Sequence, residues 1–305
     1  MSNQAAASST TAICNVLRSS NSPHCDTACG RIASTIHTMR ARVLRLSHGF
    51  TLLELAITLA IVGVLAGAVL VPFVTQVAQR NIVATEKTLE QVKESLLGYA
   101  TATGRLPCPA SATSNGAEVF AVGGNIGNGN CASFVGFLPA VTLGFTPVDS
   151  QGYAVDGWGT AQNRIRYAVA NQTVTGPSGA VTNPFTRTNG MRTASAAALA
   201  GTPLLFVCAS GTASADPLVH CGPGAVGSGG SLVLTANAPI VVWSAGANAA
   251  TGGTSVDEAQ NNFTADRIFV SHPQTSLAGA EFDDIVTWVS TGNLVSRMVL
   301  GGQLP

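Results

Sequence analysis

One uncharged apolar segment constrains this chain more than any other feature. It opens with the letters GFTLLE from Gly49 to Glu54, and from Leu55 to Gln79 it contains no Asp, Glu, Lys or Arg. The 22 residues from Phe50 to Val71 are enough to cross a bilayer as a helix. A carboxylate at Glu54 costs roughly 2–3 kcal/mol in lipid unless it finds a partner. The sequence therefore predicts a membrane-crossing helix with one acidic position that needs an explanation.

Positive charge lies on one side of this segment only. Arg40, Arg42 and Arg45 precede Gly49, and no acidic residue lies among them. Positive charge beside a first apolar helix holds that flank in the cytoplasm. A secretory signal peptide is cut after its apolar stretch, whereas here the small residue Gly49 comes before it. Cleavage after Gly49 would leave the apolar helix as the new N-terminus.

The basic leader, the Gly49–Phe50 junction and Glu54 together resemble the type IV pilin and type II secretion pseudopilin superfamily. The resemblance implies cleavage between Gly49 and Phe50 by a membrane-embedded prepilin peptidase, which also methylates the Phe50 amine. Glu54 is then the fifth residue of the mature chain, the acidic position of that family, and we expect it to act in subunit assembly. An ordinary signal anchor with a chance Gly-Phe pair is the alternative interpretation.

Residues 1–49 are expected to be a leader that is removed on maturation. The first 38 residues are rich in Ser, Thr and Ala and show no sustained periodicity. Leaders in the pilin superfamily are usually short, and Met39 would begin a short one. Translation from Met39 and a long leader are the two interpretations.

The apolar segment continues into a second, amphipathic stretch. Residues 50–72 are predicted to be the transmembrane and assembly half of one long helix, and residues 73–104 its amphipathic half, with apolar positions at three- and four-residue spacing. The helix should end near Thr103 and Gly104, ahead of two prolines.

Residues 105–305 predict a periplasmic, β-rich globular head. Short apolar runs bounded by Gly, Pro, Asn or Ser indicate strands, and Ser231–Ser244 predicts a hairpin that turns at Thr235–Ala238. The glycine-rich stretches Gly123–Asn130 and Gly222–Gly230 predict loops. The expected fold class is α+β and pilin-like, with one long N-terminal helix packed on an antiparallel β-sheet head with long loops. The predicted strands are Arg164–Ala170, Leu204–Cys208, Leu232–Leu234, Ile240–Trp243, Ile268–Val270, Ile285–Val289 and Leu294–Leu300.

Four cysteines lie beyond the leader, at positions Cys108, Cys131, Cys208 and Cys221. An even count in a domain exported to the oxidising periplasm indicates disulfides. Proximity in sequence favours the pairs 108–131 and 208–221, although three pairings are open. A zinc site is the rival interpretation, but the sequence contains no C-x-x-C pair among them.

Two shorter patches also resemble major pseudopilins. The segment Asp156–Gly159, of sequence DGWG, resembles the point where the chain enters the sheet in those proteins. Trp243–Glu258 resembles their calcium loop, which implies oxygen ligands from carboxylates and amides. An acidic, solvated loop is the alternative. The residues expected to supply oxygens are Asn248, Asp257, Glu258 and Asp266, with Asn261 and Asn262 as further candidates.

Composition and motifs argue against two other classes of function. The chain beyond the leader has 10 basic and 14 acidic residues and no basic run, so no nucleic-acid surface is expected. It lacks G-x-S-x-G, H-E-x-x-H and Walker motifs, so no enzyme is expected. Asp283 and Asp284, as well as His220 and His272, are expected to be surface or turn residues. Apart from calcium, no cofactor is expected.

The resemblance implies a structural subunit in the bacterial inner membrane, with a single pass and a periplasmic C-terminal head. Its expected partners are prepilin peptidase, other pilin or pseudopilin subunits and the inner-membrane assembly platform, which would place it in a type IV pilus or a type II secretion pseudopilus. The 256 residues beyond the leader favour a minor subunit. A filament-displayed binding module, such as a tip adhesin or uptake receptor, is the alternative.

Overall fold

A computed structural model describes residues 51–210, 232–253, 255–262 and 267–304, except the side chains of residues 68–75. The chain divides into two units, Met1–Val69 and Leu70–Pro305. The elements beyond the first helix all belong to the second unit.

The first helix, α1, covers Leu52–Thr103. Its start is capped by Thr51, whose hydroxyl accepts a hydrogen bond of 3.2 Å from the Glu54 amide. Its end coincides with the predicted one: Gly104 adopts a left-handed φ of 75° and its amide bonds to the Ala100 carbonyl at 2.8 Å. A glycine in this conformation is a common helix stop.

Among the described residues, no helical segment has both the length and the apolar character required to cross a membrane. The predicted membrane half, residues 50–72, includes residue 50 and the side chains of residues 68–72, which lie outside the described part of the chain. The membrane half therefore stays a prediction.

In the second unit, α1 contributes one face to the core. Leu89, Val92, Leu96 and Ala100 are fully or almost fully buried at three- and four-residue intervals, as an amphipathic helix requires. Val77, an earlier apolar residue on the stripe of three- and four-residue spacing, is 50% exposed. The buried part of the stripe therefore begins well after the start of the amphipathic half.

The main sheet is antiparallel and consists, in spatial order, of four strands: β1 (Val135–Phe137), β2 (Arg166–Val169), β7 (Ile240–Ser244) and β9 (Ile285–Val289). Tyr167 and Trp243, from its two central strands, are fully buried in the same core as the α1 residues. Three of the strands coincide with predicted ones, while β1 was not predicted because it is short and contains a glycine.

A second sheet has the order β6-β5-β8 and corrects two predictions. Strands β5 (Leu205–Cys208) and β8 (Ile268–Val270) run parallel, so the head is not wholly antiparallel. The predicted Ser231–Ser244 hairpin is wrong, because β6 (Val233–Ala238) pairs with β5 instead of β7. The chain leaves β6 at Pro239, which has no amide to donate, and enters the main sheet.

The predicted strand Leu294–Leu300 is also wrong, because Thr291–Leu300 forms helix α6. The Ser290 hydroxyl accepts a hydrogen bond from the Asn293 amide and caps the helix. Leu294 and Met298, four residues apart, are buried in the core. Because other apolar residues lie beside these two, the four-residue spacing of a helix was not recognised in the sequence.

Smaller elements complete the second unit. Strands β3 and β4 pair as a two-stranded antiparallel ribbon, and a 3₁₀ turn precedes β2. The predicted loop Gly123–Asn130 is free of regular structure, as expected, and Gly222–Gly230 lies outside the described residues. The remaining elements are α2 Ala140–Leu143, β3 Val174–Gly176, β4 Gly179–Val181, α3 Gly190–Ala194, α4 Ala196–Gly201 and α5 Val256–Asn261.

Candidate functional site

The predicted processing and assembly residues lie at the start of α1. Gly49 and Phe50 fall outside the described residues. Glu54 lies in the first turn of the helix and is exposed, where its negative charge is favourable beside the helix N-terminus. Thr51 and Glu54 have the T-x-x-E spacing of a capping box, and Thr51 supplies its half of that motif. The T-x-x-E spacing is visible in the sequence, but this capping role was not predicted from it.

The side chains around Glu54 form an unusually apolar surface. Leu52 is 88% exposed, Leu53 70% and Ile57 50%, and the exposure continues along the described side chains to Gly67. A helix that is apolar on every side is stable only in lipid or against partner helices. The described side chains at this end of α1 therefore present an exposed apolar surface.

The loop that follows α1 is closed by the Cys108–Cys131 disulfide, the local pairing that the sequence favoured. Both cysteines are buried. Cys208 is also disulfide-bonded, but its predicted partner Cys221 lies outside the described residues.

A buried ion pair joins the end of α1 to this loop. The Arg105 guanidinium donates to both carboxylate oxygens of Glu118, at 2.6 and 2.8 Å, and to the Tyr99 hydroxyl at 2.8 Å. Burial lowers the pKa of Arg105, but the bonds to Glu118 outweigh burial and leave this pKa above its ordinary value. Glu118 also accepts from the Cys108 amide at 3.0 Å. The network fixes the disulfide-bonded loop to the helix.

The Asp156–Gly159 turn is held from two sides. One carboxylate oxygen of Asp156 accepts from the Trp158 amide at 2.8 Å, and the other accepts from the side chains of Asn163, at 3.0 Å, and Ser244. Burial raises the pKa of Asp156, and these hydrogen bonds oppose the shift. The turn therefore joins the segment before β2 to the end of β7.

Part of the predicted calcium loop surrounds the carboxylate of Glu258. The Asn248 side-chain amide donates to Glu258 Oε1 at 2.9 Å, and the Asp283 amide donates to the same oxygen at 3.0 Å. Asp283 Oδ2 accepts from the Asn248 amide at 3.0 Å. Glu258, in α5, is only 2% exposed. Asn248, Glu258 and Asp283 thus form one cluster, called the carboxylate cluster below.

Two buried oxygens of the carboxylate cluster, Glu258 Oε2 and Asp283 Oδ1, accept no hydrogen bond from a described N–H group or hydroxyl. The two carboxyl side chains can still share a hydrogen bond through a proton on Asp283, which contributes to its raised pKa. Burial and the nearby Glu258 raise the pKa of Asp283 to about 6. Glycines cover both oxygens, because a Cβ at Gly253 would lie 2.2 Å from Glu258 Oε2 and one at Gly246 would lie 2.2 Å from Asp283 Oδ1. Both glycines have positive φ. The loop can approach the carboxylates this closely only without side chains.

Asp284 follows Asp283 in the sequence, but its carboxylate bonds to Asn261. It is 5% exposed, accepts from the Asn261 side-chain amide at 2.9 Å, and burial raises its pKa to about 7. The surface alternative of that prediction is therefore wrong for Asp284, while Asp283 is half-buried, and both residues lie in an irregular segment just before β9. Adjacent positions do place the two carboxylates against different partners, but both partners belong to the packed loop.

The remaining predicted ligands lie elsewhere. Asp257 Oδ2 lies 3.1 Å from His272 Nε2, and the His272 ring stacks on Phe282 at 3.9 Å. His272, expected to be a surface or turn residue, is half-buried in an irregular segment. Asn262 Oδ1 accepts from Arg166 at 3.1 Å. Asp266 and His220 lie outside the described residues.

Within the described ranges, no group of three or more His, Cys, Asp or Glu side chains is arranged to hold a metal ion. Of the three expected calcium ligands that the structure describes, Asn248, Asp257 and Glu258, only the first and the last bond to each other. Asp283, which the sequence reasoning set aside, is the carboxylate that joins them.

Comparison with known proteins gives a match at the N-terminal junction alone. No curated protein and no solved structure matches the chain. Residues 44–70 match the family model described as the prokaryotic N-terminal methylation motif. This range contains the Gly49–Phe50 junction, Glu54 and the exposed apolar turns of α1. The chain therefore carries the N-terminal signature of the type IV prepilin and pseudopilin proteins.

Proposed function

We propose that this chain is a structural, pilin-like subunit. Prepilin peptidase cuts it between Gly49 and Phe50 and methylates the new amine, and the inner-membrane assembly platform inserts it into a type IV pilus or a type II secretion pseudopilus. The head is periplasmic before assembly. The observation that carries the proposal is the methylation motif at residues 44–70.

The structure supports an assembly role for the start of α1. An apolar helix surface with exposed leucines needs neighbouring helices or lipid, and Glu54 is the only charged residue from Leu52 to Gln79. In a bundle of such helices, its carboxylate can pair with the positively charged amine of a neighbouring subunit's Phe50. The pairing offsets the cost of burying both charges.

Substitution of Glu54 tests this role. Glu54→Ala should leave processing and membrane insertion intact and strongly reduce the amount of protein recovered in sheared filaments. Glu86→Ala is the matched control, since Glu86 is an exposed glutamate of the same helix, and should assemble at the wild-type level. Wild-type incorporation of Glu54→Ala would show that Glu54 is not an assembly contact.

A minor rather than a major subunit is the finer proposal. It is supported by the length of 256 residues beyond the leader and by the long loops of the head. Quantitative mass spectrometry of purified filaments should find this chain far below the molar amount of the most abundant subunit. An equimolar or higher amount would assign it as the major subunit.

A second proposal is that the carboxylate cluster holds a calcium ion. Its support is the pair of buried oxygens that accept no hydrogen bond from a described N–H group or hydroxyl, Glu258 Oε2 and Asp283 Oδ1, because calcium prefers carboxylate, amide and carbonyl oxygens. Calcium at about one hundred times its dissociation constant would stabilise the protein by about 2.7 kcal/mol.

Thermal unfolding of the purified protein in calcium and in EDTA tests this second proposal. The midpoint should rise with calcium, should not respond to magnesium to the same extent, and should lose its calcium response in Glu258→Gln. Glu90→Gln, a change at an exposed glutamate of α1, should keep the response. Equal midpoints in calcium and EDTA would remove calcium from the account.

A further inference from the structure

Strand β1 lies at one end of the main sheet, so one of its edges pairs with β2 and the other faces away from the sheet. The Val169 amide of β2 donates to the Phe134 carbonyl at 3.0 Å, so the backbone groups of Phe134 and Gly136 face β2. Backbone groups alternate in direction along a strand of an antiparallel pair. Those of Val135 and Phe137 therefore face outward.

Only one of these two outward positions has a strand partner. Phe137 exchanges two hydrogen bonds with Ala110, at 2.8 and 2.9 Å. After Ala110 the chain turns away, since the Ser111 amide donates to the Ser114 hydroxyl at 3.1 Å. The ladder stops after a single pair, and no described segment lies as a strand beside Val135.

A side chain occupies the place of the absent strand. The Ser133 hydroxyl accepts from the Val135 amide at 3.2 Å and donates to the Val135 carbonyl at 2.6 Å. One hydroxyl thus satisfies both backbone groups that a neighbouring strand would otherwise satisfy. Covering an open edge in this way limits uncontrolled pairing with other chains.

A groove of about 500 Å³ lies along this edge, and we call it the β1 groove. It is predominantly apolar, and none of its lining residues is charged. Its walls come from both sides of the loop that the Cys108–Cys131 disulfide closes, which makes the groove preformed. Its main lining residues are Pro109, Ala112, Val119, Ala132, Val135 and Phe137.

We propose that the β1 groove binds an extended, uncharged segment of another polypeptide, which adds as a strand beside β1. The backbone of the segment replaces the Ser133 hydroxyl on Val135, and its alternate side chains enter the apolar groove. The outward-facing amide and carbonyl of Val135, held by one hydroxyl, suit the backbone of an extended peptide, and the uncharged lining suits neutral side chains. Each described strand of this chain already belongs to a sheet of its own molecule, and we therefore assign the occupant to another polypeptide. The proposal does not depend on filament assembly.

The test uses the purified mature protein in detergent and a short, end-blocked, fluorescent peptide of alternating threonine and valine. Fluorescence anisotropy should show saturable binding. The same peptide with N-methylated backbone amides should bind at least tenfold more weakly, because it cannot donate to the Val135 carbonyl. Ala112→Asp, which places a charge in the groove, should also weaken binding at least tenfold.

The Ser133→Ala variant gives the most specific result. Loss of the competing hydroxyl should strengthen peptide binding by about three- to tenfold, which is the effect of one modest hydrogen bond. Ser150→Ala, a change at an exposed serine outside the groove, should have no effect. Absence of saturable binding, equal binding of the N-methylated peptide, or weaker binding by Ser133→Ala would overturn the proposal. Self-association of the protein that the peptide abolishes would also overturn it, in favour of a second copy as the occupant.

Discussion

The backbone amide of Gly157 donates a hydrogen bond of 2.9 Å to the hydroxyl of Thr85 in α1. That hydroxyl donates in turn to the Asn81 carbonyl at 2.8 Å. A Cβ at position 157 would lie 2.2 Å from the Asn81 carbonyl oxygen. The Asp156–Gly159 turn therefore packs directly on the helix backbone, at the point where Thr85 is fully buried.

This contact predicts a large effect for a small substitution. Gly157→Ala should lower the free energy of unfolding by about 1–3 kcal/mol, because overpacking forces the turn or the helix to move. Gly98→Ala is the control: Gly98 is an exposed glycine of α1 with no atom near the added Cβ. It should stabilise the protein by about 0.5–1 kcal/mol. Denaturant unfolding measures both changes, and equal effects would contradict the close contact.

The Cys108–Cys131 disulfide should contribute about 3 kcal/mol to the free energy of unfolding, since it closes a loop across a sequence separation of 23. Replacement of both cysteines by alanine should lower the midpoint of thermal unfolding by several degrees. Peptide mapping under non-reducing conditions should also recover Cys208 linked to Cys221. A link between either residue of the first pair and either residue of the second would contradict local pairing.

Buried Asp284 predicts a dependence of stability on pH. Its pKa is raised from 3.8 to about 7 in the folded protein, so folding favours the protonated form. Its contribution to stability is complete below about pH 4 and is lost as the pH rises through 7. In EDTA, Asp284→Asn should therefore gain stability relative to wild type across this range, by at most about 4 kcal/mol.

Asp149 provides a control of opposite sign for the Asp284 prediction. Burial raises its pKa, but hydrogen bonds from the Tyr153 amide and Arg164 outweigh burial and lower it. Asp149→Asn should thus lose stability relative to wild type at neutral pH and lose less as the pH falls through the folded pKa. If stability depended on pH in the same way in both variants, the burial of Asp284 and the hydrogen bonds of Asp149 would not be what determines that dependence.

The sequence predicted the features that depend on local chemistry. The leader, the glycine junction and Glu54 form a continuous motif, and the αL stop at Gly104 needs only the residues around it. The β6 and α6 errors arose because short apolar runs do not show which element they pack against. Val233–Ala238 could pair with either neighbour until β5 fixed its sheet. Leu294 and Met298 share a core with α1 and the main sheet, and this tertiary packing is what the sequence alone does not show.

The carboxylate cluster was beyond sequence reasoning for a different reason. Asn248, Glu258 and Asp283 are separated by 10 and 25 positions, and only the tertiary fold brings them together. Asp283 and Asp284 precede a strand, where polar residues are ordinarily exposed. The β1 groove was equally hidden, because the direction of the Val135 backbone groups depends on the register between β1 and β2.

Mass spectrometry of the N-terminus of membrane-extracted protein tests the central claim most directly. The account predicts a mature chain that begins at Phe50 with a methylated amine. Retention of the residue pair Gly49–Phe50 in the mature chain, or a chain that begins downstream of Val71, would contradict it.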